Sequence, residues 1–116
     1  MTDTETKFRT WAKKTYPKAF IKKIPDFKQM GSGGSVGLPD YLIINEEKTI
    51  WYEVKSGFGD TLTLKHFTEG QRITFMKMFI AGADINIYCF TKTKGRKIIT
   101  LYKLLTESRV DFKKYR

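Results

Sequence analysis

Apolar residues recur along the chain with two different periods. In residues 3–16, Phe8, Trp11, Ala12 and Tyr16 follow helical spacing and Pro17 ends the run, which predicts a helix. Residues 19–24 (AFIKKI) predict a short strand. Residues 25–38, opened by Pro25 and containing GSGGSVG, have no period and predict a loop. DYLIIN (40–45) and TIWYEVK (49–55) are rich in β-branched and aromatic residues and predict two strands, joined by a hairpin turn at Glu46-Glu47-Lys48. A second loop is expected over 56–67, entered through Gly57 and Gly59. Residues 68–81 predict a helix with Thr68 as its N-cap and Gly82 as its C-terminal glycine. DINIYCFT (84–91) and RKIITLY (96–102) predict two more strands, and 103–116 one helical turn and a basic end. The order is α-β-β-β-α-β-β. A helix between strands 49–55 and 84–91 is a crossover, so those strands should pair in parallel. The expected fold class is α/β (α+β) with a mixed sheet, in a single domain over 1–116.

Composition sharpens this. One cysteine and one histidine exclude a disulfide framework and a Cys/His zinc site. No apolar run approaches the ~20 residues of a membrane span and no signal-peptide region opens the chain, so a cytoplasmic protein with no membrane partner is expected. The net charge of +10 points to a polyanionic partner. Its distribution says more. Residues 1–38 carry eight Lys/Arg against three Asp/Glu, residues 39–91 five against seven, and residues 92–116 nine against two. Carboxylates at the centre of a polyanion binder repel phosphate, unless they hold a cation beside it.

The candidate chemistry lies in that acidic middle. Pro39-Asp40 is followed, twelve residues later, by Glu53-Val54-Lys55. Asp40 opens one strand of the hairpin and Glu53 lies near the end of the other, so neighbours ~4.8 Å apart bring the carboxylates together. Glu53 and Lys55 share a strand face, and Val54 points to the other. Two carboxylates suit a hard cation such as Mg²⁺ or Mn²⁺, and an ammonium beside them suits phosphate chemistry. Asp40 after Pro39 also fits a plain turn, and Glu53 and Lys55 also fit a solvated strand face. The run Leu42-Ile43-Ile44, which predicts a strand buried on both faces, weighs against that.

These residues resemble the PD-(D/E)xK nuclease superfamily, whose αβββαβ restriction-endonuclease-like core has a mixed central sheet flanked by helices. The resemblance runs from about Glu5 to Thr91 through GLPDYLII, WYEVKSG and TLTLKHFTEGQ. It is closest to the VRR-NUC nucleases and to Holliday junction resolvases of the Gram-positive bacterial type. It implies that Asp40, Glu53, the Val54 carbonyl and Glu5 ligate metal, and that Asp40, Glu53, Lys55 and Gln71 form the catalytic set. It implies a Mg²⁺- or Mn²⁺-dependent DNA endonuclease of phage or bacterial origin, without a small-molecule cofactor, acting on branched DNA such as four-way junctions. A symmetric double cut implies a homodimer. A restriction- or repair-type nuclease on duplex or nicked DNA, or a catalytically silent nucleic-acid-binding domain, stand as alternatives. Thr2-x-x-Glu5 and Thr68-x-x-Gln71 also fit capping boxes, a role that can coexist with an active-site one.

Lys65, His66, Arg72, Lys92, Lys94, Arg96 and Lys97 are the candidate DNA contacts. For His66 a plain surface role stands beside the phosphate contact, and for the lysines around 92–97 a solvated turn. GSGGSVG lacks the ending of a P-loop. Cys89 alternates with apolar residues and is expected as a buried thiol.

Overall fold

The computed structural model describes residues 2–25 and 37–114. Helix α1 (Asp3–Thr15) is capped by Thr2, whose side chain accepts the Glu5 N–H, and leads to β1 (Phe20–Lys23). Strands β2 (Tyr41–Asn45) and β3 (Lys48–Lys55) form the hairpin. Helix α2 (Glu69–Ile80) crosses over to β5 (Asp84–Thr91), which turns back into β6 (Gly95–Thr100). These strands make one sheet in the order β1-β2-β3-β5-β6. β3 and β5 are parallel and the other neighbours antiparallel, as the crossover predicts. The C-terminal ends of β1, β3 and β5 and the start of β2 therefore lie along one edge.

Each face of the sheet has its own core. α1 lays Phe8 and Ala12 on Tyr41, Ile43, Tyr52 and Tyr88. On the other face, α2 and the C-terminal elements bury Phe75, Ile87, Cys89, Leu104 and Phe112 together. The Cys89 thiol is buried, which pushes its pKa up to about 12.

Several local expectations are corrected. The hairpin turn has two residues, because Lys48 already pairs with Asn45; Glu46 and Glu47 adopt φ of 50° and 68°, the primed turn that matches strand twist. The segment 56–67 holds β4 (Thr61–Thr63) and a 3₁₀ turn (Leu64–His66). The last strand stops at Thr100, whose side chain caps α3 (Leu101–Glu107) by accepting the Lys103 N–H. The tail then forms β7 (Arg109–Asp111), which pairs antiparallel with β4 in a separate two-stranded sheet. β2 is not buried on both faces: Ile43 is fully buried, but Ile44 is 42% exposed, and among the described residues neither β1 nor β2 joins the core on the α2 face. Of the GSGGSVG segment only Gly37 lies within the described residues.

Candidate active site

The site forms where the β2–β3 ladder ends. Tyr41 and Tyr52 are the last paired residues. One step beyond, the Asp40 carboxylate replaces a backbone partner: Oδ2 accepts the Val54 N–H at 2.9 Å, and the Asp40 N–H donates to Glu53 Oε1 at 3.2 Å. The two carboxylates thus close the hairpin's open end. Val54 turns its side chain to the α1 core, while Glu53 and Lys55 face α2.

Helix α2 supplies the next layer. Gln71 makes two contacts. Its Oε1 accepts the Thr68 N–H at 3.0 Å, completing the capping box, and its Nε2 donates to Glu53 Oε2 at 2.8 Å. Lys55 Nζ donates to the His66 carbonyl at 2.9 Å and lies 3.5 Å from both Glu53 Oε2 and Gln71 Oε1. It also sits 4.5 Å over the Phe67 ring. Gly37 fixes the chain that enters Asp40. Its φ is +100°, and a Cβ there would lie 2.4 Å from the Gly70 carbonyl oxygen. Only glycine lets this segment rest on the first turn of α2.

Glu53 is 2% exposed. Burial, and then the Asp40 carboxylate, push its pKa up to about 8; burial also raises that of Asp40. One buried and one half-buried carboxylate with one ammonium beside them are short of positive charge. That donor set fits a hard divalent cation, which oxygen ligands prefer. Among the described residues no third His, Cys, Asp or Glu joins them in a cluster. Glu5 stands on the α1 face, where Oε2 takes Lys23 Nζ at 2.6 Å and the Tyr41 hydroxyl at 3.1 Å. Its charge still reaches Asp40 and helps to raise it. Its carboxylate is turned to Lys23 and Tyr41, so only the Thr2 half of the first capping box is formed.

The candidate DNA contacts are spread along this edge. His66 Nδ1 accepts the Thr63 N–H at 3.1 Å and caps its own 3₁₀ turn. Lys65 and Arg72 are exposed on either side of the α2 N-terminus. Lys92 and Lys94 are exposed in the β5–β6 turn, Lys97 is half-buried, and the Arg96 guanidinium lies 5.9 Å from the Trp11 ring. That turn is fastened beside the site by Asp60, which accepts the Thr93 N–H and hydroxyl at 2.9 Å each; the Lys92 N–H donates to the Gly59 carbonyl. The Thr93 N–H lowers the Asp60 pKa. The sequence reading missed Asp60, Lys23 and Phe67. A glycine-flanked aspartate, a lysine ending the strand beside β2, and an aromatic just before a helix cap are their faint signals.

A five-stranded mixed sheet between helices, with this αβββαβ order, is a restriction-endonuclease-like fold. The solved structure of Hjc, a Holliday junction resolvase from the archaeal hyperthermophile Archaeoglobus fulgidus, shares that fold: it matches with a TM-score of 0.62 at 20% identity, covering 96% of this chain and 88% of that one. No family model matches the chain, and no curated protein does. Among the described residues no helix is long and apolar enough to cross a membrane.

Proposed function

We propose that the chain is a divalent-metal-dependent DNA endonuclease that hydrolyses phosphodiesters of branched DNA, with four-way junctions as the first-choice substrate. The observation that carries this reading is the Asp40–Glu53 pair, with Glu53 buried and with Lys55 and Gln71 fixed against it. Mg²⁺ or Mn²⁺ held by Asp40, Glu53 and the Val54 carbonyl would supply charge neutralisation and a more acidic water. Glu5 would join through an intervening water or by leaving Lys23. Lys55, fastened through the His66 carbonyl, presents its ammonium to the phosphate as charge builds up. Gln71 holds the Glu53 carboxylate in orientation. Lys65, His66, Arg72, Lys92, Lys94 and Lys97 grip flanking phosphates along the same edge.

The branched substrate rests on the resemblance of GLPDYLII and WYEVKSG to VRR-NUC and Gram-positive-type resolvases, and on a fold shared with a protein described as a Holliday junction resolvase. Paired cutting calls for a two-fold homodimer. The outward face of α2 suits one: Ile73, Met76 and Ile80 are exposed there, and Glu69 and Lys77 at its two ends would pair across antiparallel copies.

Junction, nicked, single-stranded and linear duplex DNA are incubated with and without Mg²⁺. Cleavage of junctions that needs metal and vanishes in Asp40→Ala is the expected result. Equal behaviour of wild type and Asp40→Ala on every substrate would remove the enzyme. Preference for linear duplex would remove only the branched substrate.

A further inference from the structure

A single helix about 10 Å wide cannot cover five strands spaced ~4.8 Å apart. α1 lies over the middle of its face and leaves the edge strand β6 uncovered. Phe90 and Arg96 are cross-strand partners, so both side chains stand on the α1 face beside the helix. The result is a groove of about 370 Å³ between α1 and β6. Its cations are Lys7, Lys14 and Arg96, and its rings include Trp11 and Phe90; among the described residues no carboxylate lines it, and the exposed Asp3 carboxylate pairs with Lys7 from outside at 3.3 Å. Lys7 Nζ stands 3.9 Å over the Phe90 ring, and the Arg96 guanidinium lies 5.9 Å from the Trp11 ring and near the Tyr88 hydroxyl.

We propose that this groove is a second nucleic-acid site, which seats an unpaired nucleobase against Phe90, Trp11 and the Arg96 plane and its flanking phosphates on Lys7 and Lys14. Half-exposed rings carrying cations on their faces are what single-stranded nucleic acid uses: every base has a π-face to stack, and every step brings a phosphate. Lys7 and Lys14 are two helical turns apart, so two phosphates can be held at once. Phe90 follows Cys89, the β-ladder partner of Lys55. The groove therefore opens at the same sheet edge as the carboxylate pair but on the opposite face. A strand passing the cleavage site can turn over the end of β5 into it. Double-helical DNA keeps its bases stacked inside and cannot use the rings.

The test is a binding measurement in EDTA, so it does not depend on cleavage. Trp51→Phe leaves Trp11 as the sole tryptophan reporter. Hexathymidylate should quench Trp11 saturably, and an abasic oligomer of the same length should bind about tenfold more weakly without quenching. Arg96→Ala and the Lys7→Ala/Lys14→Ala pair should each weaken hexathymidylate by about five- to tenfold. Anisotropy of labelled oligomers on protein retaining Trp51 gives the same ratios if Trp51→Phe fails to fold. Equal affinity for the abasic oligomer, no effect of Arg96→Ala, or a short duplex that competes as well as hexathymidylate would each overturn the base seat. Asp40→Ala separates the two readings: a cleavage-dead protein that still shows the base preference keeps the groove, and an active nuclease without that preference loses it alone.

Discussion

Strand β3 meets two different chemistries on its two sides, one residue apart. Ile50, Tyr52 and Val54 face α1, within a cluster of rings where Phe8 lies 4.7–5.3 Å from Tyr41, Tyr52 and Tyr88. The hydroxyls of its tyrosines are neutral and answered: those of Tyr52 and Tyr16 are 2.8 Å apart, and that of Tyr41 donates to Glu5. Trp51, Glu53 and Lys55 face α2, where a carboxylate is buried against another carboxylate. The first side lowers the energy of the fold. The second holds a group that resists its own charge, and such groups concentrate where a site binds or reacts. The sheet allows this because alternation sends successive side chains to separate environments.

Four changes would break or sharpen that contrast. Glu53→Gln should cut cleavage by about a thousandfold or more, since it removes an anionic ligand while keeping the hydrogen bond with Gln71. Its melting temperature should nevertheless not fall; a large loss of stability would make Glu53 a structural residue. Phe8→Ala should act in reverse, costing about 3–5 kcal/mol in denaturant unfolding through the cavity left among four rings. A third change is of solution, not of sequence. Glu53 titrates near 8 when folded and near 4.5 ordinarily. Between those values the folded chain holds a proton that the unfolded chain has released, so stability of the metal-free protein should fall as pH rises from about 5 to 8. Glu53→Gln should flatten that slope in parallel melting scans, and Mg²⁺ should offset the loss at high pH. A rising slope in EDTA would contradict the burial of Glu53. The smallest effect is expected of Tyr52→Phe, about 1 kcal/mol, for one hydroxyl pair on the quiet side.

The two sides also differed in how far they could be read from sequence. Long periodic segments carried their own evidence: Phe8 and Ala12 at helical spacing, and the apolar run of 84–91, gave the helix and strand observed. Asp40, Glu53 and Lys55 were legible because a short hairpin fixes its own register. Gln71 was ambiguous between cap and site, and the structure gives it both contacts. β4 and β7 were not legible, since three residues contain too little alternation to show a period. They exist because Leu62, Val110 and Phe112 bury together, a tertiary preference with no local signature. Glu5 was legible as a helix residue on the Phe8 face, but its attachment to Lys23 depends on how β1 docks beside β2.

The contact between Gly37 and Gly70 bears on how such a protein can change over generations. Gly37 is seated against α2, and the Ile24 N–H donates to the Asp40 carbonyl at 2.8 Å, so the chain on both sides of residues 26–36 is anchored next to the site. A side chain at position 37 would press on the Gly70 carbonyl and on the turn that carries Gln71, so descendants that keep Gln71 against Glu53 are expected to keep glycine there.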